Sequence, residues 1–379
     1  MSQNLTYKHF GALRLGLAVL VVVQHFVSNL APIGPLFDAI VPGEVGSLAV
    51  LVFFCLSGFV ITEAAVNVYP GKPAAFIANR FLRIVPHYLA ALAISILVHL
   101  VFLARGTLRI AEREPPSPAR LEHAFQLKNI AANLFGFMPG ADRLGSFDFV
   151  DIVWAVRIEM LFYFLVLGCI VLCLAPSIRR IGPMRLFYAG FFLLVPCLLL
   201  AAFGLLPGKI GLASYFVFGA ALYLQSSGRR TRPIVWLSLA GIALHFLTLP
   251  LVNPQSGQLR HHIGVQAIIL AALLATMVYL ALHRFSRFRP LDRSLGDLSY
   301  PLYMHHQNVE IVLFSLAGAF SYVNVYLGIP LAILFSYGMM RLIDPLVNRV
   351  RDRVRGRRTD TMEGFDPISV HRPPVSALP

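Results

Sequence analysis

Arg14 and His25 stand eleven residues apart inside one apolar stretch near the amino terminus. At about 3.6 residues per turn this is close to three full turns, so on a helix the two side chains share a face, about 16 Å apart along the axis. Ionisable groups at membrane depth cost roughly 3 kcal/mol each on insertion scales and are functional candidates by default. A neutral imidazole is the side chain best matched to take a proton from a hydroxyl near neutral pH. A guanidinium at the other end of the same face suits a long ligand with an anionic head. The plainer alternative makes Arg14 a snorkelling anchor and His25 a buried, hydrogen-bonded residue; their common register favours the chemical reading.

Four further groups carry comparable signals. Ser57 and Gly58 interrupt the apolar run Phe53-Phe54-Cys55-Leu56-Ser57-Gly58-Phe59, and small residues of this kind let a helix or a ligand approach closely. Arg80 and Arg83, followed by Pro86, put two forked cations on adjacent turns, suited either to gripping phosphate or to anchoring a span. Glu159 and Tyr163 are four residues apart in a run that starts at Trp154 and includes Arg157. They share one helical face, where a carboxylate needs a cationic partner or a role. Arg14, Arg157 or another Arg is the partner to consider. Tyr303, His305 and His306 form a late aromatic and imidazole cluster, read as substrate-binding or as polar helix packing.

Helices that cross a membrane must hold these residues. Of 379 residues 57% are hydrophobic and only 13% charged, about half the charge of a soluble domain. Spans of roughly 20 apolar residues recur, and lipid leaves the backbone no partner but its own helix. The apolar stretches are Phe10 to Leu30, Val45 to Thr62, Phe81 to Leu103, Ile152 to Leu174, Phe187 to Leu206, Ile210 to Leu224, Ile234 to Val252, Ile263 to Leu282, Leu298 to Phe320 and Tyr322 to Ile343. An all-α bundle of about ten spans is expected. Short basic connections alternate along the chain: Arg80 and Arg83, Arg179 to Arg185, Arg229 to Arg232, Arg284 to Arg293 and Arg349 to Arg358 fall on one side. By the positive-inside rule that side is cytoplasmic, with both termini there.

The formal charge of +14 is explained by this orientation rather than by nucleic acid. Cys55, Cys169, Cys173 and Cys197 lie in apolar stretches without metal or disulfide spacing, so no metal is expected. Residues 1–346 read as one transmembrane domain. Its segment 104–151, with Pro115, Pro116 and Pro118, reads as a long extracytoplasmic loop and a candidate acceptor lid. Asn129 to Met138 within it either re-enters the membrane or lies on its surface. Residues 347–379 read as a basic, disordered cytoplasmic tail.

Taken in order, these motifs resemble the acyltransferase 3 family of bacterial membrane O-acyltransferases, in its stand-alone form without a secreted hydrolase-like domain. The resemblance runs from Arg14 to about Pro345. It is carried by Arg14 and His25; by Phe53, Phe54, Ser57 and Gly58; by Arg80, Arg83 and Pro86; by Trp154, Glu159, Phe162 and Tyr163; and by Ser299, Tyr300, Tyr303 and His306 or its neighbour His305. Leu51 stands where many relatives have Asp, and Asp344-Pro345 where Glu-Pro is customary.

The resemblance implies transfer of an acyl group, most often acetyl, from cytoplasmic acyl-CoA to a sugar hydroxyl of a cell-envelope or exported glycan, in the bacterial inner membrane. It implies Arg80 and Arg83 on the CoA phosphates with help from Arg14, and Ser57 along the thioester path. His25 would be general base or acyl carrier, and Glu159 would orient His25 or balance an Arg. Trp154, Tyr163, Tyr303, His305 and His306 would meet substrate. Implied partners are a glycan or glycolipid acceptor, membrane lipid and polysaccharide-assembly proteins. A transporter or flippase for a lipid-linked saccharide or anion is the alternative, since buried Arg, His and Glu also line translocation routes.

Overall fold

The computed structural model describes residues 8–27, 45–110, 118–176, 183–202, 205–206, 208–252, 259–283, 288–317 and 322–354. Among them are twelve α-helices and no strand. In chain order these are α1 (Gly11–Val27), α2 (Val45–Glu63), α3 (Pro73–Ala104), α4 (Pro118–Ala124), α5 (Leu127–Leu134), α6 (Val153–Leu172), α7 (Pro183–Ala202), α8 (Ala213–Ser226), α9 (Arg232–Val252), α10 (Leu259–Leu282), α11 (Arg289–Ala317) and α12 (Tyr322–Val354). Every expected apolar stretch holds one of them, and α4 and α5 lie in the long connection. Five segments, Val45–Val68, Pro73–Ala104, Val153–Leu172, Ile263–Leu282 and Tyr326–Val354, are long and apolar enough to cross a membrane. Leu97, Leu165, Leu193 and Leu334 are 60–73% exposed on the outer faces of α3, α6, α7 and α12. Lipid is the solvent that suits such a surface. The molecule is an all-α membrane bundle.

Apolar all round, α2 is the helix that a bundle can bury on every side, and α1, α6, α8 and α10 pack around it. Gly58 and Gly219 set its crossing with α8. A Cβ on Gly219 would strike the Cys55 carbonyl, and one on Gly58 the Phe216 carbonyl. Close approach lets Phe216 stack on Phe54, with centroids 4.8 Å apart, and on Phe162, at 4.4 Å. Because the obstacle is backbone, Gly219→Ala is expected to cost roughly 3 kcal/mol, the upper end of overpacking. Gly16→Ala, which meets nothing within 4 Å, should leave the detergent melting temperature unchanged.

Two side-chain caps from distant helices fix α1 lengthwise. Asp292 of α11 accepts from the Gly11 amide at 3.0 Å and the Ala12 amide at 2.9 Å, satisfying donors that every helix start leaves open. Gly296 lies against the Gly11 Cα. Gln24 of α1 in turn caps α2, its Oε1 accepting from the Gly46 and Ser47 amides at 2.5 and 3.1 Å. The axial register of α1 against α2 and α11 is thereby set, and with it the depth of Arg14 and His25.

The connection from 104 to 151 is pinned to the bundle. Asn129 Oδ1 accepts from the Ser146 and Phe147 amides, and Asn133 Oδ1 from the Phe149 amide. Tyr88 of α3 donates to the Asn133 carbonyl, and Ser95 to that of Phe149. Asn129 and Asn133 are 3% and 2% exposed, so the described stretch around them is held against α3. At the other end α12 stays helical to Val354, eight residues into the stretch expected to be disordered, and Arg351 reaches Asn79 at 3.4 Å. The first connection with Asp38 and Glu44, Pro115 and Pro116, Arg179 and Arg180, Arg284 and Arg287, and the chain beyond Val354 lie outside the described residues.

Candidate active site

Five helices meet around a cavity, α1 contributing Arg14, α2 Ser57 and Phe53, α3 Arg80 and Arg83, α6 Glu159 and Tyr163, and α11 Tyr300 and Tyr303. It encloses about 800 Å³ of unfilled space, its open mouth included. Seven of the residues singled out in the sequence, from five separate motifs, line this one space. Three guanidinium groups face one carboxylate, and that carboxylate is already engaged. Glu159 Oε1 accepts from the Ser57 hydroxyl at 2.8 Å and from the Tyr163 hydroxyl at 2.6 Å.

Arg80 is 5% exposed and lies over the rings of Phe76 and Tyr163, at 5.7 and 5.8 Å to their centroids. Its Nε has no partner among the described residues. Arg14 feels the charges of Arg83, Glu159 and Asp297. Buried cations left with spare donors make an anion site, and the planar fork of Arg fits phosphate oxygens in pairs. The rest of the wall is apolar, with Val50, Val60 and Ile61 of α2 and Ile84 of α3, which suits the uncharged part of an elongated ligand.

Of the partners considered for Glu159, the charges of Arg14 and Arg80 reach it, but two others do not. It does not touch His25, and it does not pair with Arg157. Arg157 instead forms a two-point ion pair with Asp148, at 3.0 and 2.7 Å, and donates from Nε to the Gly136 carbonyl at 2.6 Å. It clamps the long connection onto α6. Trp154 also stays outside the cavity: it is 40% exposed and meets Phe54 edge-on at 6.4 Å.

His25 lies beyond the inner wall of the cavity, not on it. Its carboxylate partner is Glu310 of α11, with Nδ1 and Oε2 3.5 Å apart, and its ring meets that of His306 edge-on at 4.9 Å. Glu310 and His306 are fully buried, while the His25 side chain is 24% exposed. The charge of Asp151 acts on His25 and Glu310, and the Asp151 amide donates to Gln307 of α11 at 3.0 Å. Tyr303 is the wall common to both spaces. It lines the cavity, sits 6.2 Å from the His306 ring, and donates its hydroxyl to the Ile152 carbonyl at 2.9 Å. His305 points elsewhere, toward His87 of α3.

Glu310 was not singled out from the sequence, although one sign was available. It is a carboxylate in an apolar stretch, four residues after His306 and so on the same helical face, which is the test that drew attention to Glu159. Among the described residues no three His, Cys, Asp or Glu side chains are grouped to hold a metal.

No curated protein and no solved structure matches the chain. The model of the acyltransferase 3 family, described as an acyltransferase domain, matches residues 9–341. That match takes in every wall of the cavity and the His25–Glu310 pair, and by it the chain belongs to the acyltransferase 3 family.

Proposed function

We propose that this membrane acyltransferase moves an acyl group, acetyl in the first instance, from acyl-CoA at the cytoplasmic face to a sugar hydroxyl of a cell-envelope or exported glycan, in the bacterial inner membrane. The observation that carries the reading is the three-arginine cavity joined through Tyr303 and His306 to the His25–Glu310 pair. Arg80, Arg83 and Arg14 hold the CoA phosphates, and the pantetheine arm runs along the apolar wall of α2. The thioester then reaches the Tyr303 side of the cavity, where a small adjustment of Tyr303 and His306 opens it to His25.

His25 takes the proton of the acceptor hydroxyl as the oxygen attacks the thioester carbon. Glu310 orients the imidazole and balances the charge that forms, the work a buried carboxylate performs for a histidine base. Glu159 holds Ser57 and Tyr163 in place and offsets part of the arginine charge, so that the cavity binds an anion without repelling its own walls.

The test is thiol release from acetyl-CoA by the purified protein in detergent, with glycans extracted from cells lacking it as acceptor. Release that depends on those glycans, together with a mass gain of one acetyl group, is expected. A transporter or flippase would leave the thioester intact. Mass spectrometry of envelope and secreted glycans with and without the protein identifies the acceptor.

A further inference from the structure

Resting on the acyltransferase reading, we propose that Asp344, His87, His305 and His306 form a proton path that returns the acceptor's proton from His25 to the cytoplasmic side. His87 is the centre of the case. Its Nε2 lies 2.9 Å from Asp344 Oδ1 of α12, and its Nδ1 lies 3.4 Å from His305 Nε2 of α11. An imidazole engaged through both ring nitrogens can take a proton at one and release it at the other. His87 is 3% exposed and His305 fully buried, whereas Asp344 keeps 31% of its side chain at the surface.

The inner end of the path comes back to the active site. Among the described residues, His305 Nδ1 is buried without a partner, and so is Nε2 of the neighbouring His306, whose Nδ1 is held by the Leu302 carbonyl at 3.1 Å. His306 then meets His25 edge-on at 4.9 Å. Bare ring nitrogens at membrane depth are costly, and two in succession between a surface carboxylate and the base of a reaction call for a use. None of Asp344, His87, His305 or His306 lines the three-arginine cavity, so acyl-CoA binding does not explain them.

Such a route serves the chemistry. The acceptor O–H bond breaks and its proton goes to His25; the new C–O bond forms; the C–S bond breaks and the thiolate leaves with CoA toward the cytoplasm. Product leaves on one side, and the proton remains on the other. Passage through His306, His305 and His87 to Asp344 resets His25, and the thiolate takes a proton from cytoplasmic water, so no charge is left behind.

Purified full-length protein is to be assayed with acetyl-CoA and the extracted glycans. The acyltransferase reading fails if the unaltered protein releases no thiol. Given release, His87→Ala should lower kcat about 10- to 100-fold with KM for acetyl-CoA unchanged, and added imidazole, entering past half-buried Asp344, should restore most of it. His305→Asn, which keeps polarity and packing but carries no proton through, should lower kcat to the same extent. Normal kcat in both variants overturns the path, and so does a loss in His87→Ala that imidazole does not reverse, since His87 would then only staple α3 to α12.

Discussion

Replacing His25 with alanine should lower acyl transfer by about 10²- to 10⁴-fold, the usual contribution of a positioned general base, while the protein still inserts and folds. The side chain is partly exposed and carries neither of the caps that hold α1 in register, which come from Asp292 and Gln24. Binding of acetyl-CoA should be unchanged, because the arginine cavity does not include His25. Glu310→Gln separates the two parts of the dyad: it keeps the shape against His25 and removes the charge, so kcat should fall by roughly 10- to 100-fold with KM unmoved. A His25→Ala protein that acylated its acceptor at the normal rate would sink the assignment.

Loss of the two cations of α3 should act on the other half of the reaction. Each charge-assisted hydrogen bond contributes about 1.5–3 kcal/mol, so Arg80→Ala should raise KM for acetyl-CoA by roughly 10- to 150-fold, and Arg80→Ala with Arg83→Ala by more. Arg80→Lys should recover only part of this, since an ammonium lacks the planar fork and the ring-stacking that Arg80 makes over Phe76 and Tyr163. Acetyl-pantetheine, which lacks the nucleotide phosphates, provides the discriminating measurement. If Arg80 grips phosphate, the variant and the parent should turn over acetyl-pantetheine with similar kcat/KM; an equal loss with both donors would mean that Arg80 only braces the bundle.

Much of this arrangement can be read along the chain, because the constraints are local. Each apolar stretch had to become a helix, since lipid gives its backbone no other partner, and all ten stretches hold helices in the structure. Arg14, His25 and Glu159 stood out because an ionisable group at membrane depth is costly wherever it sits, a cost visible without knowing any neighbour, and Arg80 and Arg83 stood out as two forked cations on adjacent turns. The same test would have found Glu310, whose burial is complete. Asn129 and Asn133 gave no such sign, because an uncharged amide in a long connection looks like ordinary loop polarity until its hydrogen-bonding positions are seen filled.

What the amino-acid order determined by itself is the helical membrane bundle, the set of ionisable side chains within it, and the family to which their spacing belongs. Which of them meet was decided only by the packing. Arg14 and His25 share a helix face, yet Arg14 lines the cavity and His25 does not; His25 meets His306 of α11, whose ring lies 6.2 Å from that of Tyr303 on the cavity wall. Glu159 faces Ser57 rather than His25, and Arg157 holds Asp148 rather than Glu159. The reason is geometric: periodicity along one helix says which residues share a face, but partners across helices depend on crossing distance and axial offset. Here those are set by Gly58 and Gly219 at the α2–α8 crossing and by Asp292 at the start of α1, contacts between residues far apart in the chain.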